Sequence, residues 1–159
     1  MTVGEGGPGH WPAGADVSSP GAAPAVPSAG AGRSFHEMWA ELLPVGRHPG
    51  SGGYRRYAWT GADAECRAWF QEQAEARGMT HEVDRNGNQW AWLGDPAAGD
   101  AVVTGSHLDS VPDGGAFDGP LGVVSSFAAL DELRGRGVEF TKPLAIVNFG
   151  DEEGARFGL

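Results

Sequence analysis

The chain has 159 residues, with 11 Lys plus Arg against 21 Asp plus Glu and a formal net charge of −10. A single lysine, Lys142, and one basic pair, Arg55-Arg56, make no basic patch, which excludes a nucleic-acid or anionic-membrane surface. The lone Cys66 excludes an intramolecular disulfide, and no run approaches the roughly 18 apolar residues of a membrane span.

Residues 1–33 are dominated by Gly, Ala, Pro and Ser, a composition that cannot bury enough apolar surface to offset its ordering entropy. A disordered tail is predicted there, followed by one folded unit over 34–159. The tail lacks the basic start and apolar run of a signal peptide, so the protein reads as soluble and cytoplasmic. Ser34 can cap a helix in which Phe35, Met38, Trp39, Leu42 and Leu43 recur at helical spacing before Pro44. After a glycine-rich loop, Thr60 can cap a second helix over about Asp63 to Arg77. Its stripe is Cys66, Trp69, Phe70 and Gln73, and Gly78 is its stop. The thiol of Cys66 falls on that stripe and reads as a buried structural group.

HEVDRNGNQWAWLG then reads as a β-hairpin, with Asn86-Gly87 predicted as a two-residue turn at positive φ and Trp90 and Trp92 on one strand face. Two runs without polar alternation, Ala101 to Ser106 and Pro143 to Phe149, suit strands covered on both faces, as in a parallel sheet. Between them Pro120 opens a helix carrying Leu121, Val123, Val124, Phe127, Leu130 and Leu133, ended by Gly135 and Gly137. Strand, helix, strand is a βαβ unit, and both strands deliver polar residues at their C-terminal ends, where open α/β sheets place ligands.

Those polar residues form a metal-site pattern. His107 ends the first strand, and Asp109, two residues on, can accept its second ring N–H. Asp118 precedes the helix among Gly114, Gly115, Gly119 and Gly122; it reads either as a ligand or as a plain helix cap. Asp151, Glu152 and Glu153 follow the second strand. Adjacent side chains are expected to diverge, so one glutamate can bind a metal while its neighbour takes a proton from water. One imidazole with carboxylates suits zinc, manganese, cobalt or nickel.

GSHLDSVPDGGAFDGPLGV and DEEGARF resemble the signature segments of the hydantoinase/carbamoylase amidases, and VDRNGNQWAWLG is similar to that family's hairpin. The group comprises N-carbamoyl-L-amino-acid hydrolases, allantoate amidohydrolases and β-ureidopropionases, within the dinuclear-zinc aminoacylase and carboxypeptidase clan. The resemblance implies the N-terminal portion of a zinc-exopeptidase-like three-layer α/β/α catalytic domain holding two divalent ions. It implies that His107 binds one metal, Asp118 bridges the two and Glu153 binds the other. Glu152 becomes the general base, Asp109 orients His107, and the Asp118–Gly119 peptide is strained. The implied substrate is a small ureido or amide molecule. The family's remaining metal-binding histidines and the smaller domain through which it forms homodimers fall outside the residues matched. A chain limited to 159 residues is therefore expected to bind metal weakly, to show no amidase activity and to aggregate through an open sheet edge. Rival readings are a dipeptidase or aminoacylase of the same clan, or a truncated remnant with no enzymatic role.

Overall fold

Ser34 starts the first helix through a reciprocal capping box. Its hydroxyl accepts the Glu37 N–H, and the Glu37 carboxylate accepts the Ser34 N–H at 2.7 Å. The computed structural model describes residues 33–157, so the predicted tail, apart from Arg33, lies outside the described residues. Helix α1 spans Phe35–Leu42, α2 Gly61–Ala76 behind its Thr60 cap, and α3 Pro120–Gly135. Strands β1 (Thr80–Val83), β2 (Gln89–Leu93), β3 (Val102–His107) and β4 (Leu144–Phe149) form one mixed sheet in the order β1-β2-β4-β3. The β3–β4 pair is parallel, as the βαβ reading requires, while β2 joins β4 antiparallel.

All three helices cover one face of this α/β sheet. Ala91, Ile146 and Thr104 lie in one cross-strand row on that face, and Thr104 Oγ1 sits 3.0 Å from Ser126 Oγ of α3. Phe70 and Trp69 of α2 meet Phe127 of α3 above the row, with Met38 and Leu42 of α1 in the same core. Burying these apolar side chains is the main source of stability. The opposite face carries Trp90 stacked on Trp92 at 5.8 Å, and Phe149 edge-on to Trp90. No helix among the described residues is long and apolar enough to cross a membrane.

Two expectations need correction. The Asn86-Gly87 turn is not a two-residue turn: Val83 pairs with Gln89, leaving a five-residue loop in which, of that dipeptide, only Gly87 has positive φ. The Asp84 carboxylate decides this, because it accepts the N–H groups of Asn86 and Asn88, the Asn88 amide and the Trp90 indole, and so organises a wider loop. Nor is β3 covered on both faces. It is an edge strand, with Val102 and Val103 about half exposed, whereas Ala145 to Asn148 of β4 are buried.

Buried polar groups fasten the loops to this core. Arg56 lies inside the protein and donates to the Leu42 and Val45 carbonyls at the end of α1, under the ring of Tyr54. Arg77 spans α2 and α3 through Asp131, 2.7 Å away.

Gly105 should tolerate no side chain. Its φ is +142°, and a Cβ there would collide with the Val147 carbonyl oxygen. Gly105→Ala is expected to destabilise the fold by about 2 kcal/mol or more in urea unfolding, and a loss below 0.5 kcal/mol would contradict this contact. Cys66 gives a pH signature. Burial disfavours the thiolate and pushes the thiol from near 9 up to about 11. The folded state then holds this proton more tightly than the unfolded state, so the contribution is full below pH 9 and is lost as pH rises towards 11. The stability difference between the wild type and Cys66→Ala should shrink by about 2–3 kcal/mol across that window. A difference that stays constant with pH would exclude a buried thiol.

Candidate metal centre

The site forms where the parallel pair ends. His107 is the last residue of β3 and pairs with Phe149, the last of β4, so the two loops that follow leave the sheet side by side. Beyond His107 the chain stays pinned, because Arg56 N–H donates to Ser110 Oγ and Ser110 N–H donates to the Arg56 carbonyl. Beyond Phe149 it doubles back through positive φ at Asp151 and Gly154. Gly119 closes the arrangement. At φ 75° it lies so near the His107 ring that a Cβ would meet Nδ1 at 2.6 Å.

His107 is buried, and its Nδ1 faces the Asp109 carbonyl oxygen at 3.2 Å. A carbonyl only accepts, so Nδ1 carries the proton and the neutral ring presents the Nε2 lone pair outward. Asp109 Oδ1 lies 3.3 Å from the same nitrogen but off the hydrogen-bond axis, which leaves this oxygen buried without a partner. The other oxygen, Oδ2, accepts the Glu153 backbone N–H at 3.2 Å. Asp109 thus ties the histidine loop to the glutamate loop.

Around Nε2 the carboxylates gather. Glu152 Oε2 is 3.5 Å away and Asp118 Oδ1 is 3.8 Å away. Ligand atoms of His107, Glu152 and Glu153 all lie within 4.8 Å of one another. The two glutamates therefore converge, contrary to the expected divergence, because the turn at Asp151 folds their backbone back over the histidine. Asp118 stands at the outer rim of this cluster, its carboxylate exposed. It is not a helix cap: Gly119 takes the N-cap position, and no side chain caps α3. Gly119, which follows Asp118, holds a positive φ of 75°.

The electrostatics are those of a site short of positive charge. Burial pulls His107 down, but its contacts with Asp109 and the charges of Asp109 and Glu152 outweigh this and raise its pKa. Glu153 is also raised, first by burial and then by the charges of Asp118, Glu152 and Asp109 against the opposing pull of His107. An outward imidazole nitrogen and the converging carboxylates of Glu152 and Glu153 form an oxygen-rich donor set with one nitrogen, which fits a divalent cation.

The linear sequence does not mark Arg56, Ser110 or Ser51 as supports of this site. Their partners lie some fifty to sixty residues away, with no motif linking them. Arg55 bonds both oxygens of Asp113 and Ser51 bonds one, which clamps the loop leading to Asp118.

Comparison with known proteins places this geometry in a family. No family model matches the chain. It is 39% identical over 124 residues to an N-carbamoyl-L-amino-acid amidohydrolase of Rhizobium meliloti, covering 76% of this chain and 30% of that protein. It is 34% identical over 126 residues to allantoate deiminase 2 of Glycine max, covering 76% of this chain and 26% of that protein. Its fold matches the crystal structure of a hydantoinase/carbamoylase family amidase from Burkholderia ambifaria, with a TM-score of 0.71 and 39% identity over 77% of this chain and 30% of that one. The chain belongs to the hydantoinase/carbamoylase amidase family. It spans about 30% of the length of the relatives in the first two bacterial matches.

Two substitutions test the site in the full-length protein. His107→Ala should remove tight binding of cobalt or manganese, followed by calorimetry, because it deletes the only nitrogen donor of the cluster. Asp109→Asn should weaken that binding by about 10–100-fold, because it removes the carboxylate charge 3.3 Å from Nδ1 that makes the imidazole a stronger donor. Unchanged affinity in both variants would exclude this cluster as the metal centre.

Proposed function

We propose that the protein is a metal-dependent amidohydrolase that cleaves linear, non-peptide C–N bonds in small ureido substrates, N-carbamoyl-L-amino acids or allantoate-type compounds. The observation that carries this reading is the convergence of His107, Glu152 and Glu153 within 4.8 Å at the ends of adjacent parallel strands, in a chain of this family. In this reading residues 34–159 are part of the catalytic domain. Two divalent ions, zinc, manganese, cobalt or nickel, are held by His107, Asp118 and Glu153 together with donors from outside the described residues. The full-length enzyme is a homodimer.

When bound, the ions acidify a water towards neutral pH and polarise the ureido carbonyl. The chain's own residues do the rest. Asp109 keeps the proton on His107 Nδ1, so Nε2 stays a donor. Glu152, the half-exposed glutamate, takes a proton from the attacking water on a carboxylate oxygen and returns it to the leaving nitrogen. Its 3.5 Å distance from His107 Nε2 supports this role. An N-carbamoyl amino acid and one water then give the amino acid, carbon dioxide and ammonia.

The test is ammonia release by the metal-loaded, full-length protein from N-carbamoyl-L-amino acids and allantoate, beside dipeptides and N-acetyl amino acids. Turnover should be confined to the ureido substrates. Glu152→Gln should lower kcat by about 10²–10⁴-fold with metal content unchanged. Turnover of dipeptides or N-acetyl amino acids alone, or an active Glu152→Gln variant, would refute the proposal.

A further inference from the structure

The loop of residues 111–119 carries Asp118 to the mouth of the site, yet among the described residues the Asp118 side chain makes no hydrogen bond; its Oδ1 lies 3.8 Å from His107 Nε2. Glycines at 114, 115 and 119 leave the loop backbone loose by composition. Its leading half is fixed. Tyr54 and Gly114 exchange backbone hydrogen bonds at 3.0 and 3.2 Å, and Asp113 is held by Arg55 and Ser51. The trailing half has a single side-chain anchor. Phe117, immediately before Asp118, is 67% exposed, a poor position for a large apolar ring standing alone. It does not stand alone. Its ring lies on Trp39, with centroids 5.3 Å apart and planes 15° apart, and Trp39 stacks on Phe35 at 5.9 Å and 8°.

Phe35 and Trp39 are one turn apart on α1, a helix fixed by its capping box, by Arg56 at its far end and by Met38 and Leu42 in the core. The two rings therefore present a rigid aromatic surface to the loop. On the other side of Asp118, the Leu121 N–H bonds the Phe117 carbonyl as α3 begins. We infer that Trp39 and Phe117 form a positioning latch that holds the Asp118 carboxylate over the metal centre. Neither ring touches the reacting atoms. Their role is to restrict where the backbone of residue 118 can go, so that the carboxylate meets a cation without first being ordered. The inference rests on the reading of Asp118 as a metal ligand.

The experiment is calorimetric titration of the metal-free, full-length protein with manganese and with zinc, and thermal melting confirms that each variant is folded. Phe117 is exposed, so its truncation leaves the core intact. Phe117→Ala and Trp39→Ala should each weaken the binding that depends on Asp118 by about three- to tenfold, the range open to one aromatic pair. Phe117→Tyr and Trp39→Phe, which keep a ring, should retain it. In an Asp118→Ala background, Phe117→Ala should cause no further loss. If Asp118→Ala weakens binding and Phe117→Ala does not, the latch is overturned and the ligand reading stands. Equal weakening by Phe117→Ala in both backgrounds also overturns the latch, because the ring then acts on the structure generally. Should Asp118→Ala leave both metals bound as before, the ligand reading fails and the latch fails with it.

Discussion

The site depends on the register of one parallel strand pair. His107 stands opposite Phe149 on the final rung of β3 and β4, and no local feature could bring the histidine to the glutamates otherwise. Side chains alternate across a strand, so a slip of one residue would turn His107 to the other face and leave Glu152 and Glu153 facing a different side chain. Two glycines protect the register. Gly105 lets the backbones of β3 and β4 approach where a methyl group would collide with Val147, and Gly119 lets the start of α3 settle against the imidazole. The strand pair, its crossover helix and the metal centre are therefore one structural unit.

That unit is built at an electrostatic disadvantage. Among the described residues, the one basic side chain within 4 Å of the Asp109, Asp118 and Glu152 carboxylates is the His107 imidazole. Asp109 is deeply buried, and its Oδ1 has no hydrogen bond. A buried carboxylate without full hydrogen bonding is costly, and each neighbouring carboxylate adds repulsion. The raised pKa of Glu153 expresses the same imbalance. A core evolved for stability alone would not keep this arrangement. A cation among the carboxylates reverses the sign of each of these terms, so the charge distribution itself argues for a metal.

Much of this was legible in the sequence because it is local. Ser34 and Thr60 announce their helices, the crossover helix shows Pro120 at its start and glycines at its end, and the apolar runs mark β3 and β4. The candidate site residues could be proposed for a related reason, since His107, Asp109, Asp118, Glu152 and Glu153 stand in two short segments. What could not be read arises from contacts across long separations. The width of the hairpin loop is set by one Asp84 carboxylate satisfying four donors, whereas the Asn-Gly dipeptide alone suggests a tighter turn. Glu152 and Glu153 follow a residue at positive φ, Asp151, a conformation open to aspartate but not fixed by the local sequence. Arg55 and Arg56, unremarkable as a basic pair, turn out to clamp one site loop and to cap α1 respectively.

Burial divides the site into two halves, and the division follows the chemistry. His107 and Asp109 are held by strand pairing, core packing and backbone hydrogen bonds, so the imidazole arrives already oriented. Preorganised donors cost no rearrangement when charge develops, which is what an ion and a polarised carbonyl require. Glu152 and Asp118 lie outside this rigid half, with side chains 51% and 66% exposed. A group that takes a proton from water and carries it to a leaving nitrogen must reach two positions, and an exposed carboxylate on a tight turn has that freedom. In the proposed reading Asp118 has the opposite need, because a bridging ligand must stay put. Its backbone is therefore held from outside the cluster, by the start of α3 on one side and the aromatic surface of α1 on the other. Under the proposed roles, the same exposure serves mobility at Glu152 and needs restraint at Asp118, and the flanking contacts at Phe117 and Leu121 lie where that restraint is required.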